Sequence, residues 1–320
     1  MRIVLAILLA LLIVPILVVQ MSETEVRPLE WVELDQTDHR EIRFHNAEQD
    51  LQLAGLLFVP VGSGPFPGAV IIHGSGASHR SNGWYLTLAQ YLQQSGVIVL
   101  LPDKRGSEKS EGHWQTASYE DLATDAAAAA QYLRTQDEIG LSSIGAVGLS
   151  QGGRIAPIVA AGTRDLAFVV SIVGGAVPAH ESLVYEETHN LRELGLLPGF
   201  SDVIAYPAAW SLIYVRQKDY WNAVGNFDPI PYWEVVEAPS LVMYGDRDTN
   251  VKWEKSAARL RALNKPNLDV KIYEGSGHAL EDPPGSGSSI LRRDALEDLR
   301  DFILKVDSAR GSRPAQGRTS

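Results

Sequence analysis

A serine, an aspartate and a histidine, each in a loop that carries glycine, are the residues whose types and order fit nucleophilic chemistry. Ser150 lies in Gly148-Leu149-Ser150-Gln151-Gly152, directly after the apolar run Ile144 to Leu149 and before the helix-compatible Arg154 to Ala161. A strand that ends, turns sharply and enters a helix presents the serine at its apex, on a turn too tight for side chains at the flanking glycines. A serine hydroxyl is a weak nucleophile, so it needs a base to take its proton and a third group to fix the tautomer of that base. His278, in Gly275-Ser276-Gly277-His278, follows a strand-like run ending at Tyr273. Asp248, in Tyr244-Gly245-Asp246-Arg247-Asp248, follows the preceding run, so all three residues fall on the same edge of a sheet. The chain order Ser, Asp, His is that of one fold among the several that host such a triad. Asp246 is the competing acid.

The elements that must position these residues follow from the alternation of apolar runs. Two strands, Ile42 to His45 and Leu51 to Val59, read as an antiparallel hairpin. Short β-branched strands at Ala69–Ile72, Val97–Leu101, Ile144–Leu149 and Ala167–Val173 then alternate with helical segments at Trp84–Gln94, Ser118–Gln136 and Arg154–Ala161. This is the pattern of a mostly parallel sheet covered on both faces. Ser118 and Asp121 form a capping pair for the second helix. The alternation stops from Pro178 to Trp233, an aromatic-rich and partly helical insertion read as a cap, whose rings either pack the insertion to itself or line an apolar substrate site. It resumes with strands Ser240–Tyr244 and Asp269–Tyr273 and helices Trp253–Ala262 and Ile290–Val306, and the polar tail 307–320 reads as disordered.

Composition removes several function classes. A net charge of -11 without a lysine and arginine cluster argues against nucleic acid as a partner. The absence of cysteine excludes disulfides, thiolate metal sites and a lipidated N-terminal cysteine. No histidine pair has the helical spacing of a metal site, so neither a metal nor a cofactor is expected. Arg2 followed by the apolar run Ile3 to Val19 marks residues 1–20 as membrane-directed. The run ends without a small-residue cleavage site, which favours an uncleaved signal anchor over a removed signal peptide and places the catalytic domain outside the cytoplasm. Secretion after cleavage is the alternative, and oligomeric state is not legible.

The segment 41–306 resembles the α/β-hydrolases. Beyond the nucleophile turn, Ile71-Ile72-His73-Gly74-Ser75-Gly76 is similar to the oxyanion loop of that superfamily, and Pro102-Asp103-Lys104-Arg105-Gly106-Ser107 to its strand-end turn. More narrowly, these motifs and the block from Phe227-Asp228-Pro229 to Asp248 resemble bacterial serine esterases related to the prolyl oligopeptidase and dienelactone hydrolase groups. Glu108 stands where such turns often carry a glycine, which raises the question of positive φ there. The resemblance implies a Ser150-His278-Asp248 triad, favouring Asp248 over Asp246 by spacing, and an oxyanion held by the N–H groups of Gln151 and Ser75, with Gly76 as the runner-up. It also implies that His73 braces the oxyanion loop, while the other six histidines lie on the surface or in the insertion. Asp103 and Arg105 read as an ion pair bracing their turn. The reaction so implied is hydrolysis of a carboxylic ester with an apolar part through an acyl-enzyme. A thioesterase or peptidase is the alternative, and a non-catalytic, membrane-tethered binding protein is the reading from another class.

Overall fold

In the computed structural model, residues 32–163, 165–283 and 291–311 are described. The N-terminal apolar run and the chain beyond Gly311 lie outside them. Eight strands form one sheet: β1 (Arg40–Asn46), β2 (Leu51–Phe58), β3 (Phe66–Ile72), β4 (Ile98–Pro102), β5 (Leu141–Leu149), β6 (Val169–Ile172), β7 (Ser240–Gly245) and β8 (Leu268–Tyr273). Their order is β1-β2-β4-β3-β5-β6-β7-β8. β2 runs antiparallel to both β1 and β4, and the pairs from β4 through β3 to β8 are parallel. The expected α/β-hydrolase architecture, hairpin included, is therefore present.

Strand residues alternate between two cores. In β3, Val70 and Ile72 join the layer beneath α2 (Tyr119–Arg134), α3 (Gln151–Gly162) and α8 (Trp253–Ala262). Ala69 and Ile71 face the opposite layer, under α1 (Gly83–Gln94) and α9 (Arg293–Gly311). Because side chains alternate with period two, a strand covered on both faces is apolar throughout, and that is what β3, β4 and, from Ile144 onward, β5 are. The insertion between β6 and β7 supplies α4 (Ala179–Glu193), α5 (Pro198–Ser211), a wide turn Leu212–Arg216, α6 (Lys218–Val224) and α7 (Ile230–Val235).

β3 and β5 begin three residues earlier than expected, at Phe66 and Leu141, and the last helix begins at Arg293; two further boundaries differ for reasons visible in the packing. α3 begins at Gln151, not Arg154, because Gly152 and Gly153 are helical despite their poor propensity. A Cβ on Gly152 would lie 2.0 Å from the Ile72 carbonyl oxygen, so packing against β3 selects glycine there. α9 runs on to Gly311, past Val306, and Asp307 accepts hydrogen bonds from the hydroxyls of Ser142 (2.8 Å) and Ser143 (2.5 Å) at the start of β5. Residues 307–311 of the expected tail are thus helical. The reciprocal cap on α2 is formed as anticipated, Ser118 N–H to Asp121 and Asp121 N–H to Ser118 Oγ both at 3.0 Å.

The turn after β4 is pinned by buried charge, though not by the pair expected. Asp103 and Arg105 do not bond each other: Arg80 holds Asp103 through two bonds of 2.8 and 2.7 Å, and Arg105 holds Asp125 of α2 at 2.7 and 2.9 Å. Successive residues of a turn point in different directions, so each reaches a different neighbour. Glu108 does take φ 49°, and its carboxylate accepts the Arg80 N–H at 3.1 Å. Asp125 is further held by Asn46 Nδ2 at 2.7 Å. Removing one member of a buried ion pair leaves the other uncompensated, so Asp125→Ala is expected to cost about 3–5 kcal/mol in urea unfolding. A loss below about 1 kcal/mol, the scale of a surface pair, would contradict this account of the turn.

Candidate active site

The switch in strand order between β3 and β5 leaves a crevice at the C-terminal edge of the sheet, the usual place for a ligand in such sheets. Ser150 closes β5 with φ 53° and ψ -114°, a backbone state that costs a non-glycine residue roughly 1–3 kcal/mol and persists only where surroundings enforce it. Enforcement comes from two sides. The Ser150 N–H donates to the Ile172 carbonyl of β6 at 2.8 Å, and a Cβ on Gly148 would sit 2.0 Å from the Gly152 carbonyl oxygen.

His278 follows β8 in a loop fixed by Glu281, which accepts the Gly277 N–H at 3.0 Å. Its Nδ1 is 2.9 Å from Asp248 Oδ2 and its Nε2 is 2.9 Å from Ser150 Oγ. A carboxylate only accepts, so Nδ1 carries the proton and Nε2 is left bare to accept from the serine hydroxyl. Asp248 is buried, and its other oxygen accepts the backbone N–H groups of Asn250 (2.8 Å) and Val251 (2.9 Å). Asp246 points elsewhere, accepting the Gly275 N–H at 2.7 Å. Burial alone would lower the pKa of His278; the Asp248 carboxylate, by charge and hydrogen bond, outweighs it and holds the imidazole above its ordinary value.

The Gly74 loop, after β3, packs against the serine: a Cβ on Gly74 would be 3.4 Å from Ser150 Cβ. Its backbone N–H donates to the Tyr85 hydroxyl at 2.7 Å. His73 braces this loop as the resemblance implied. Its Nε2 donates to the Pro102 carbonyl at 2.7 Å, and burial drives its pKa down to about 3, so it is neutral. Ser75 and Gln151 thereby flank Ser150, and neither of their N–H groups donates to an acceptor among the described residues. Gln151 also opens α3, whose N-terminus favours negative charge.

Lys104 is the residue that sequence reading passed over. It is 8% exposed, and its ammonium donates to the Gly74 carbonyl at 2.7 Å and to Gln151 Oε1 at 2.5 Å. It makes no ion pair among the described residues, and burial lowers its pKa to about 7. The Gly74 carbonyl and the Ser75 N–H belong to one planar trans peptide, so they point in opposite directions. Fixing the carbonyl toward Lys104 therefore fixes the direction of the Ser75 N–H, away from Lys104, and polarisation by the cation strengthens that donor. The one signal in the sequence was a run of three charges directly after a fully apolar strand.

The cap reaches the site through a few of its rings. Tyr185 Oη donates to the Asp248 carbonyl at 3.0 Å, and the Tyr220 hydroxyl accepts from Gln151 Nε2 at 2.9 Å. Trp84 lies 6.1 Å from the His278 ring, and Trp114 lies 6.3 Å from Tyr220. Phe227, Tyr232 and Trp233 instead pack the base of the insertion, Phe227 edge-on to Tyr119 at 4.6 Å. Tyr206, Trp210 and Tyr214 face outward. Glu186 of α4 stands within the field of His278 and receives Asn250 Nδ2 at 3.3 Å; burial raises its pKa against that attraction.

Two outcomes test this electrostatic picture. A base at His278 works only when neutral, so kcat/KM is expected to fall as pH drops through a pKa above 6.5, and to fall again above about 7 as Lys104 loses its charge. The other titratable groups facing Lys104 do not change state there, because His73 stays neutral and burial pushes Tyr220 well above its ordinary range. Lys104→Met is expected to abolish the alkaline fall and lower kcat by roughly 10²-fold, about the loss of one oxyanion donor, with KM little changed. An unchanged kcat would remove Lys104 from the machinery.

The prolyl oligopeptidase family model matches residues 83–308, a span that contains Ser150, Asp248 and His278. The chain is 22% identical over 286 residues to Esterase EstD of Thermotoga maritima, covering 85% of this chain and 67% of that protein. It is 25% identical to a mouse peroxisomal succinyl-coenzyme A thioesterase, over 71% of this chain and 52% of the relative, so it spans about half that protein's length. Among solved structures, an esterase of Pyrococcus furiosus superposes with TM-score 0.62 at 16% identity, covering 85% of this chain and 92% of that one. Proline iminopeptidase of Mycobacterium smegmatis does so with TM-score 0.60 at 14% identity, over 85% and 100%. These structural likenesses carry the fold. The family match covers more than half of the 320 residues, and the chain belongs to the prolyl oligopeptidase family, as a serine hydrolase of the α/β-hydrolase fold.

Proposed function

We propose that the protein is a carboxylesterase that works through an acyl-enzyme on Ser150. The reading rests on one observation, the row formed by Ser150 Oγ, His278 and Asp248 with both contacts at 2.9 Å. Ser150 Oγ attacks the acyl carbonyl while His278 Nε2 takes its proton. The carbonyl oxygen becomes an oxyanion facing the N–H groups of Ser75 and Gln151, with Gly76 as the alternative second donor. The intermediate collapses as the imidazolium gives its proton to the departing alkoxide, which leaves as the alcohol. Water then repeats the sequence on the acyl-serine, releasing the acid and restoring the hydroxyl.

Ester over thioester is supported by the surroundings and by the esterase relative. Trp84, Trp114 and Tyr220 offer apolar and aromatic surface for the apolar part of an ester, and the chain spans 67% of the esterase against 52% of the thioesterase. The mouse relative's name keeps acyl-coenzyme A as the second reading. The apolar run Ile3–Val19 supports a tether holding the domain at a membrane, outside the cytoplasm.

A fluorophosphonate probe is expected to label the native chain and neither Ser150→Ala nor His278→Ala. Labelling of Ser150→Ala equal to the native chain would remove Ser150 as nucleophile. With p-nitrophenyl esters, peptide anilides and acyl-coenzyme A in parallel, the esters are expected to turn over fastest, and faster turnover of either other class would replace the ester reading.

A further inference from the structure

The outer helix of the cap is apolar on both sides. One face of α5 packs inward, with Ile204, Ala205, Ala209 and Leu212 meeting Leu183 and Leu191 of α4. The other face carries Leu197 (67% exposed), Phe200 (64%), Val203 (66%), Tyr206 (66%), Trp210 (58%) and Tyr214 (60%). Phe200, Val203, Trp210 and Tyr214 share one face of the helix and the wide turn after it, flanked by Leu197 on one side and on the other by Tyr206, which borders the cleft toward α4. A soluble helix normally turns a polar face outward, so a second apolar face implies a second apolar environment.

Charge and chain length identify that environment. From Leu197 to Val215 the one charged residue is Asp202, and Arg192 already pairs with it at 2.6 Å. In a protein of net charge -11, this stretch is unusually bare of charge. Mixed Trp, Tyr, Phe and Val on one helix face is the composition that settles at the boundary between lipid headgroups and acyl chains. Between the apolar run ending at Val19 and the first described residue, Val32, residues 20–31 supply at most about 3.5 Å each, a reach of roughly 40 Å. That reach is comparable with the domain itself, and a tether keeps the bilayer at high effective concentration beside it.

We propose that the outer face of the cap, the stripe from Leu197 to Tyr214, docks on the surface of the phospholipid bilayer to which the N-terminal run tethers the chain. The inference rests on the tether proposed above and is independent of the catalytic assignment. Docking presents the cap, whose Tyr185 and Tyr220 overlie the triad, to esters dissolved in the lipid.

The lack of cysteine permits a clean test. Val203→Cys and Val61→Cys, each in the full chain, receive a bimane label; Val61 is exposed and follows β2 at the opposite edge of the sheet from the catalytic loops. Both are reconstituted in phosphatidylcholine vesicles with and without a nitroxide-bearing phosphatidylcholine. The nitroxide lipid is expected to quench the label at Val203 by about threefold, as for a site within ~10 Å of the acyl boundary, and to leave that at Val61 unchanged. Adding Phe200→Ser and Trp210→Ser is expected to remove the quenching while hydrolysis of p-nitrophenyl acetate stays within about twofold, the small effect expected of surface changes away from the site. Protein that floats with the vesicles while Val203 stays unquenched overturns the docking and leaves the tether standing. Failure to float overturns both, and shielding of Val203 that follows protein concentration instead of lipid assigns the stripe to a second copy of the chain.

Discussion

The rest of this molecule depends on the contact between the first turn of α3 and the ends of β3 and β5. Backbones meet there at separations that leave no room for a Cβ on Gly148 or Gly152. That closeness holds Ser150 in a backbone state it would not otherwise populate, and directs its hydroxyl out of the crevice toward His278. Because β3 and β5 are neighbours while the chain detours through β4, the same contact lays the Gly74 loop beside the elbow. The candidate nucleophile and both candidate oxyanion donors are thus products of one packing constraint.

Lys104 connects that constraint to the turn after β4. Its neighbours Asp103 and Arg105 are each committed to a carboxylate or guanidinium elsewhere, so they hold the turn while the lysine between them is free to reach Gly74 and Gln151. An ammonium buried without a carboxylate is costly, and its lowered pKa is the sign of that cost. Set against one peptide carbonyl, one amide oxygen and the face of Trp114 at 5.6 Å, the charge has no carboxylate partner among the described residues, and it acts on the candidate oxyanion donors through the Gly74 carbonyl and the Gln151 side chain. A fixed charge that needs no reorganisation during reaction is the kind of electrostatic feature that lowers a barrier.

Much of this was legible in the sequence, and the parts that were not share a cause. The strands were readable because a run buried on both faces is apolar throughout, and the convergence of Ser150, Asp248 and His278 was readable because loops at one edge of a parallel sheet lie together. Pairings across twenty or more residues, Arg80 with Asp103 and Arg105 with Asp125, were not readable, because they depend on which way a turn residue points. The aromatic insertion was ambiguous for a related reason. Its rings divide among the candidate site, the base of the cap and the outer stripe, and a helix apolar on both faces gives no periodicity to separate a buried face from an exposed one. The N-terminal run was read from composition alone and lies outside the described residues.

The most direct measurement of the central claim is a crystal structure of the chain after reaction with a fluorophosphonate. The account predicts phosphorus bonded to Ser150 Oγ, with the phosphoryl oxygen about 2.7–3.1 Å from the N–H groups of Gln151 and of Ser75 or Gly76, the range required of oxyanion donors. Phosphorus on another residue, or a phosphoryl oxygen turned away from Gln151 and the Gly74 loop, would contradict it.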